Sequence, residues 1–331
     1  MKKITIITGL ILFGNLAIGQ QLGQFSQYLN NQFILNPAAA GEHNYFDIDL
    51  SFRQQWVGFD NGPQNYYLSG HTKLGKTAEA PFVNSSLRPS HESSAITEVS
   101  GGDGKTRKIQ HGVGGTVAAD NYGAFRKLNF SGSYALIIPV AKKAFWSFGA
   151  NVGLTNLGFD QNSISLANSS DNVYDQFASG SQRRNLLDVN LGTYFYSDKF
   201  YIGYSTNQLL QNKIYFGGTP LDGKLNVHHF LSAGYNIEMS DKWTVTPSFL
   251  VKYMNPAPVS FDLSAKVTFD KKYFAGVSYR QGDAIIAMVG ANINDLIKIG
   301  YSYDYTTSEI GNYSTGGHEV MLGVMLNRKQ K

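Results

Sequence analysis

The stretch FDIDLSFR, residues 46–53, alternates strictly between apolar and polar side chains. In an extended chain, even-numbered residues share one face and odd-numbered residues share the other. The even-numbered face is wholly apolar, whereas the odd-numbered face carries two aspartates, a serine and an arginine. This period of two predicts a β-strand with one dry side and one wet side.

The same alternation recurs to the end of the chain in about fourteen windows, most of them roughly 9–14 residues long. The windows are 45–56, 64–74, 109–120, 127–139, 145–157, 186–197, 199–208, 227–238, 242–253, 258–269, 272–281, 284–293, 296–306 and 317–327. Their length suits a membrane barrel, since strands of soluble proteins usually have about five or six residues. An even number suits a single-chain barrel. We therefore predict an all-β fold, a transmembrane antiparallel β-barrel of about 14 strands.

The composition agrees with a sheet protein whose strands separate two environments. The chain has 20 Tyr, 21 Phe and 35 Gly, and only 16% of its residues are charged. It has no cysteine, which removes disulfides and thiolate metal sites. The net charge of +4 falls to +2 without Lys2 and Lys3, which indicates neither a nucleic acid nor an acidic membrane surface as a partner.

The N-terminus divides into two predicted segments before the barrel. Residues 1–19 resemble a cleaved secretory signal, with two lysines, an apolar run and a small-residue cleavage site ending at Gly19. Residues 20–44 form a pre-barrel, plug-like segment that contains QFSQYLNNQFILNPAAAG at 24–41. We expect its aromatic residues to serve as apolar anchors and Asn36-Pro37 to end any helix and turn the chain toward the first strand. Residues 45–331 form the barrel.

The lengths of the connections also indicate an outer-membrane barrel. Short connections at 140–144, 197–198, 239–241, 270–271 and 294–295 alternate with long polar ones at 158–185, 209–226 and 307–316. Such barrels have short periplasmic turns, longer surface loops and both termini in the periplasm. Residues 75–108 break the rule on the side of the short turns. We expect a polar periplasmic or lumen-entering insertion there, with a miscounted strand as the alternative.

Two acidic or glycine-rich features hold no predicted chemistry. Asp47 and Asp49 share a strand face, and we expect them to be lumen residues beside Arg53 rather than cation ligands. The sequence GGDGK at 101–105 lacks the spacing and the strand-to-helix context of a phosphate loop. We read it as a loop.

The histidines do not form a predicted active site either. His228 and His229 are adjacent, so their side chains lie on opposite faces of a strand and cannot chelate together. Ser69 and His71 share a face, as in a barrel lipid hydrolase, but no G-x-S-x-G elbow accompanies them. We therefore expect no enzyme, no catalytic residue, no cofactor and no metal.

Several motifs follow one another in order over nearly the whole mature chain. The N-terminal ones are QFSQY (24–28), the Asn36-Pro37-Ala38 stretch that ends at Gly41, RQQWVGF (53–59) and LSGHTKL (68–74). The later ones are DNYGAF (120–125), PSFLVKY (247–253), APVSFDL (257–263), VSYRQGDAI (277–285) and IGYSYDYTTSEIGNYSTGGHEVML (299–322). Together these motifs resemble the PorP/SprF family of type IX secretion system membrane proteins. The 75–108 insertion and the basic end LNRKQK depart from what we expect of the family.

The resemblance implies an outer-membrane barrel that works beside the type IX secretion machinery of Bacteroidota-type bacteria. Its implied partners are outer-membrane lipids, machinery components and a large exported surface protein with a C-terminal secretion signal, in gliding species a motility adhesin, and no nucleic acid. The barrel would help to export that protein or to attach it to the surface. A diffusion porin or specific uptake channel is the alternative. The candidate contact residues are Gln24, Phe25, Tyr28, Asn36, Pro37, Gly41, Arg53 and Trp56, the last at the membrane interface.

Overall fold

Fourteen strands form one closed antiparallel sheet in the computed structural model, which describes residues 23–74, 98–100, 106–160, 183–216 and 219–327. The strands are β1 (Phe46–Gln54), β2 (Gln64–Leu74), β3 (Gln110–Tyr122), β4 (Phe125–Ala141), β5 (Ala144–Phe159), β6 (Arg183–Ser197), β7 (Phe200–Asn207), β8 (His228–Tyr235, continued by Ile237–Glu238), β9 (Trp243–Met254), β10 (Ser260–Phe269), β11 (Tyr273–Arg280), β12 (Ala284–Asn292), β13 (Ile297–Thr306) and β14 (Gly317–Leu326).

Every barrel strand pairs with the next along the chain, and β1 pairs with β14 to close the sheet. In this closing pair Phe46 lies opposite Leu326. Closure satisfies the main-chain groups of both edges, as a lipid environment requires. The prediction of an antiparallel barrel of about 14 strands is confirmed, and its largest error at a strand start is in β6, predicted from 186 and observed from 183.

The outward face of the barrel is apolar and carries aromatic side chains near both ends. One ring consists of Trp146, Phe200, Tyr235, Trp243 and Tyr273, and the other of Tyr66, Tyr204, Tyr253, Tyr279 and Tyr305. Exposed aliphatic side chains such as Val152 and Val277 lie between them. Aromatic girdles around an apolar band mark the two membrane interfaces of an outer-membrane barrel.

The two ends of the barrel differ in their connections. At the turn end, where β1 begins and β14 ends, the short connections are 142–143, 198–199, 239–242, 270–272 and 293–296, and one long connection, 75–109, joins β2 to β3. The loop end has three short connections, 123–124, 255–259 and 281–283, and longer ones at 55–63, 160–182, 208–227 and 307–316.

Two small hairpins and one short helix lie in the connections. Glu98–Ser100 pairs with Thr106–Lys108 at the turn end, and Lys213–Phe216 pairs with Thr219–Lys224 at the loop end. A 3-10 helix, Glu309–Asn312, lies before β14. In the described part of the 75–108 insertion the strands pair only with each other, so it adds no barrel strand there; residues 75–97 and 101–105 lie outside the described residues.

Residues 23–45, the lumen segment, lie inside the barrel. They form three 3-10 turns, Tyr28–Asn30, Gln32–Ile34 and Pro37–Ala39. Gly23 lies beside Asn65 and Asp120 near the loop end, whereas Gly41 binds the turn-end half of β2. The segment therefore runs along the lumen before β1 begins. Within the described ranges, no helix has both the length and the apolar character needed to cross a membrane.

Candidate functional site in the barrel lumen

The first residues of the lumen segment bind charged side chains of the wall. The main-chain N–H of Ser26 donates to Glu319 Oε2 at 2.6 Å, and its hydroxyl donates to Asp304 Oδ2 at 2.8 Å. Arg53 donates to the carbonyl oxygen of Gln24 and forms an ion pair of 2.6 Å with Asp304. Two predicted residues, Gln24 and Arg53, thus meet through a main-chain contact.

A charged cluster continues from this contact around the wall. Arg280 Nε lies 3.1 Å from Asp262, and its Nη1 lies 3.6 Å from Asp304 and 3.4 Å from Asp283. Lys252 reaches the other oxygen of Asp262 at 2.8 Å. Buried charges are tolerated only when they are paired. The sequence analysis did not identify this cluster, although opposite charges at inward positions of neighbouring strands were a visible signal.

Tyr28 anchors the middle of the lumen segment. Its ring packs against Phe230 and Leu250, and only 1% of its surface is exposed. Its hydroxyl shares a hydrogen bond of 3.1 Å with Ser264. Burial raises the pKa of Tyr28 to about 12, so the phenol remains neutral and can make this bond at any physiological pH.

Asn36 organises the second half of the segment. Its side-chain oxygen accepts a hydrogen bond of 2.9 Å from the N–H of Ala38, which caps the turn Pro37–Ala39. Its side-chain nitrogen donates to the carbonyl oxygens of Thr193 at 2.9 Å and Tyr204 at 3.3 Å. We expected Asn36-Pro37 to end a helix. The 3-10 turn Gln32–Ile34 ends just before Asn36-Pro37, and Pro37 begins the next turn, Pro37–Ala39, because proline is favoured at the first helical position.

A glycine track on the wall makes room for this half of the segment. The track consists of Gly112, Gly149 and Gly192. A Cβ at Gly149 would overlap the main chain of Ala38, and one at Gly112 would overlap the carbonyl group of Ala40. Such close approach of two main chains is possible only at glycine. The sequence analysis missed the track. Its signal was glycine at inward positions, where polar side chains were expected.

Three further candidate residues lie at different places. The ring of Phe25 packs edge-on against Tyr67, with 5.2 Å between the ring centroids. Gly41 has a φ of +75° and donates its N–H to His71 Nδ1 at 3.2 Å. Trp56 lies outside the lumen, in the connection after β1, with a φ of +51°. Seven of the eight candidates therefore lie in the lumen, on the lumen segment or on the wall beside it, and Trp56 lies outside.

The acidic pair of β1 has a different partner from the one expected. Lys298 Nζ lies 3.0 Å from both Asp47 Oδ1 and Asp49 Oδ1, whereas Arg53 pairs at the other end of the strand. Gly323 stands between Asp49 and Lys298 in the register of β1, β14 and β13. Because it has no side chain, the lysine reaches across it. We expected Asp47 and Asp49 to be lumen residues beside Arg53. All three lie on the lumen face of β1, but Arg53 forms its ion pair with Asp304 and not with these aspartates.

The serine and histidine of β2 both bind the lumen segment rather than each other. Ser69 accepts a hydrogen bond of 2.9 Å from Asn31, and His71 accepts one from Gly41. Throughout the described ranges, no group of three or more histidine, cysteine or acidic side chains is placed to hold a metal ion.

A closed, apolar-sided barrel with aromatic girdles and a polar lumen is an outer-membrane β-barrel. The family model described as type IX secretion system membrane protein PorP/SprF matches residues 17–324, and the chain belongs to this family. A search of curated proteins found no match.

Three of the solved structures that the chain resembles have low sequence identity to it. The toluene transporter TbuX of Ralstonia pickettii has 11% identity and a TM-score of 0.46, with 90% of this chain and 93% of that chain covered. The toluene transporter TodX of P. putida has 10% identity and a TM-score of 0.48, with 89% of this chain and 93% of that chain covered. The outer membrane protein Omp33 of Acinetobacter baumannii has 9% identity and a TM-score of 0.44, with 86% of this chain and 97% of that chain covered.

Proposed function

We propose that this protein is a non-enzymatic outer-membrane component of the type IX secretion system that assists the export or surface attachment of a partner protein. It would enter the periplasm with a cleaved signal and lie in the outer membrane with its turn end in the periplasm. The partner would be a large exported protein with a C-terminal secretion signal, in gliding species an adhesin.

The occupied lumen carries this proposal. The lumen segment is bonded to the wall at its start, its middle and its end, through Ser26, Tyr28 and Asn36. We infer that it acts as a plug, because these contacts and the glycine track leave it no room to move aside within a rigid wall. A plugged barrel offers no continuous water path to solutes, which favours a binding platform over a diffusion porin.

The loop end offers a surface on which a partner could bind. The connections 55–63 and 307–316 are joined by hydrogen bonds from Thr315 N to Val57 O at 2.8 Å and from Val57 N to Gly316 O at 2.9 Å. Phe59 and Tyr313 remain 40% and 77% exposed on this joined pair. Exposed aromatic side chains on a supported loop are typical anchors of protein interfaces. We assign partner binding to this surface.

Deletion of the gene tests the role in secretion. We expect one large exported protein to disappear from the cell surface, and complementation with the native chain to restore it. A Phe59→Ser/Tyr313→Ser double variant should restore less of it, whereas Met239→Ser, in a turn-end connection, should restore it fully. An unchanged surface proteome after deletion would refute the proposal.

Planar bilayers test the porin alternative. The purified protein should give no steady current, because the lumen segment fills the barrel. Large, steady currents from the native protein would favour a porin or an uptake channel.

A further inference from the structure

A cavity of about 120 Å³ lies between the lumen segment and the wall formed by β3 to β7. Phe25 and Leu35 line it from the segment, and Asp120 and Asp188 line it from the wall. It occupies the loop-side half of these strands. On the turn side, residues 38–40 pack against the glycine track, which closes the cavity on that side. None of the contacts described above fills it.

The unsatisfied atoms of the cavity wall are all hydrogen-bond acceptors. Asp188 is 8% exposed, and its Oδ1 has no hydrogen-bond partner. The side-chain Oδ1 of Asn207 is likewise buried without a partner. Among the described residues that line the cavity, these are the two buried side-chain atoms left unpaired. A ligand that completes this wall must therefore donate hydrogen bonds.

The charges of the cavity favour a cation. Asp120 and Asp188 contribute two carboxylates, and Lys127 contributes one ammonium group. Lys127 interacts with both carboxylates electrostatically but forms no ion pair within 4 Å with either of them. Asp120 already accepts a hydrogen bond of 2.8 Å from Asn65. The formal balance is minus one, and Asp188 holds the carboxylate oxygen that still needs a partner.

We propose that this cavity is a socket for an arginine side chain of a polypeptide that arrives from the loop end. A guanidinium group has five donors in one plane, so it can bond Asp188 and Asn207 together and lay its face against Phe25. One water needs about 10–15 Å³ by this measure of volume. The cavity therefore admits a guanidinium group and excludes a folded segment. This proposal rests on the proposed function in one respect only, namely that the exported partner protein would supply the polypeptide.

Peptide binding to the purified full-length protein in a non-ionic detergent tests the socket. The probe is a fluorescent Gly-Gly-Arg-Gly-Gly peptide, and its control contains citrulline, a neutral isostere of arginine. We expect saturable binding of the arginine peptide and at least tenfold weaker binding of the citrulline peptide. Asp188→Asn should weaken arginine binding at least tenfold. Asp198→Asn, a matched change on the exposed turn after β6, should leave it unchanged.

Each other outcome overturns the proposal. Equal binding of the two peptides would show that charge is not recognised, and no saturable binding would show that the socket is filled by water only. Insensitivity to Asp188→Asn would place any binding elsewhere. Calcium binding that depends on Asp188 and excludes the peptide would reassign the cavity to a metal ion. Because this assay contains no partner protein, its failure leaves the deletion experiment as a separate test of the proposed function.

Discussion

Gly149→Ala is the smallest change that should release the lumen segment from the wall. The added methyl group would overlap the main-chain nitrogen and Cα of Ala38, which cannot move aside as a flexible side chain would. The barrel strand itself should accept alanine, because Gly149 is paired on both sides in regular sheet. The clash is therefore confined to the contact between the wall and the lumen segment.

The expected cost follows from overpacking in a rigid interior. Forcing one extra carbon into a well-packed contact costs about 1–3 kcal/mol. Alanine in place of glycine also stabilises a strand by roughly 0.5–1 kcal/mol, a gain that belongs to the barrel and not to the seated segment. Seating here means the binding of the lumen segment to the wall, and the unseated population is the fraction of molecules in which the segment has left the wall. A loss of about 1–3 kcal/mol in the free energy of seating corresponds to a roughly 5- to 150-fold rise in the unseated population.

Cysteine labelling measures that population. The chain has no cysteine, so Ser26→Cys introduces a unique thiol at a position with 0% exposure. A polar maleimide that cannot cross the detergent phase should label this thiol slowly in the native barrel. In the Gly149→Ala background the rate should rise roughly 5- to 150-fold, in proportion to the unseated population.

Gly132→Ala is the matched control. It lies on the lipid face of β4, where a Cβ would meet no atom within 4 Å, so it shares the gain in strand propensity without the clash. Labelling in this background should equal that of Ser26→Cys alone. If the two alanine variants gave the same labelling rate, the seating of the segment on the glycine track would be refuted.

Two further predictions concern charge. Burial raises the pKa of the Glu42 carboxyl, so its contribution to seating is full below the unfolded pKa of about 4.3 and is lost as pH rises through the raised value. Labelling of Ser26→Cys should therefore become faster as pH rises over this range, and Glu42→Gln should abolish that increase. An unaltered pH profile in the Glu42→Gln variant would contradict the prediction. Arg280→Met removes one of the two cations that pair with the buried carboxylate of Asp262, and leaves it with Lys252 alone. This should destabilise the barrel by about 3–5 kcal/mol, read from its heat-modified gel shift. Arg126→Met, in an exposed pair, should cost at most about 1 kcal/mol, and equal shifts would argue against the buried cluster.

The barrel could be predicted because its physics is local. Each strand shows its own alternation, and a side chain's face follows from its number alone. For β1 the alternation at 46–53 placed Asp47 and Arg53 in the lumen and Phe52 in the lipid, and the observed burial agrees. The alternation of short and long connections then distinguished the turn end of the barrel from the loop end. Closure required only that the first and last strands be neighbours.

The seat of the lumen segment could not be predicted because its contacts are not local. Ser26 binds Glu319 across 293 residues, and no sequence period relates them. The 3-10 turns of the segment have three residues each, too short for a helical pattern. Glycines at inward positions of the strands were the accessible signal, since a lumen filled by solvent would not require them.

The two halves of the lumen segment are held by different chemistry, and this predicts different tolerance to substitution. In the first half, Arg53 and Glu319 bind main-chain groups of Gln24 and Ser26, which any residue would offer. In the second half, residues 36–41 are held by an asparagine side chain and by close main-chain approach to glycines. Side-chain identity therefore matters more at 36–41 than at Gln24, because there the shape and the amide of the segment must match the wall.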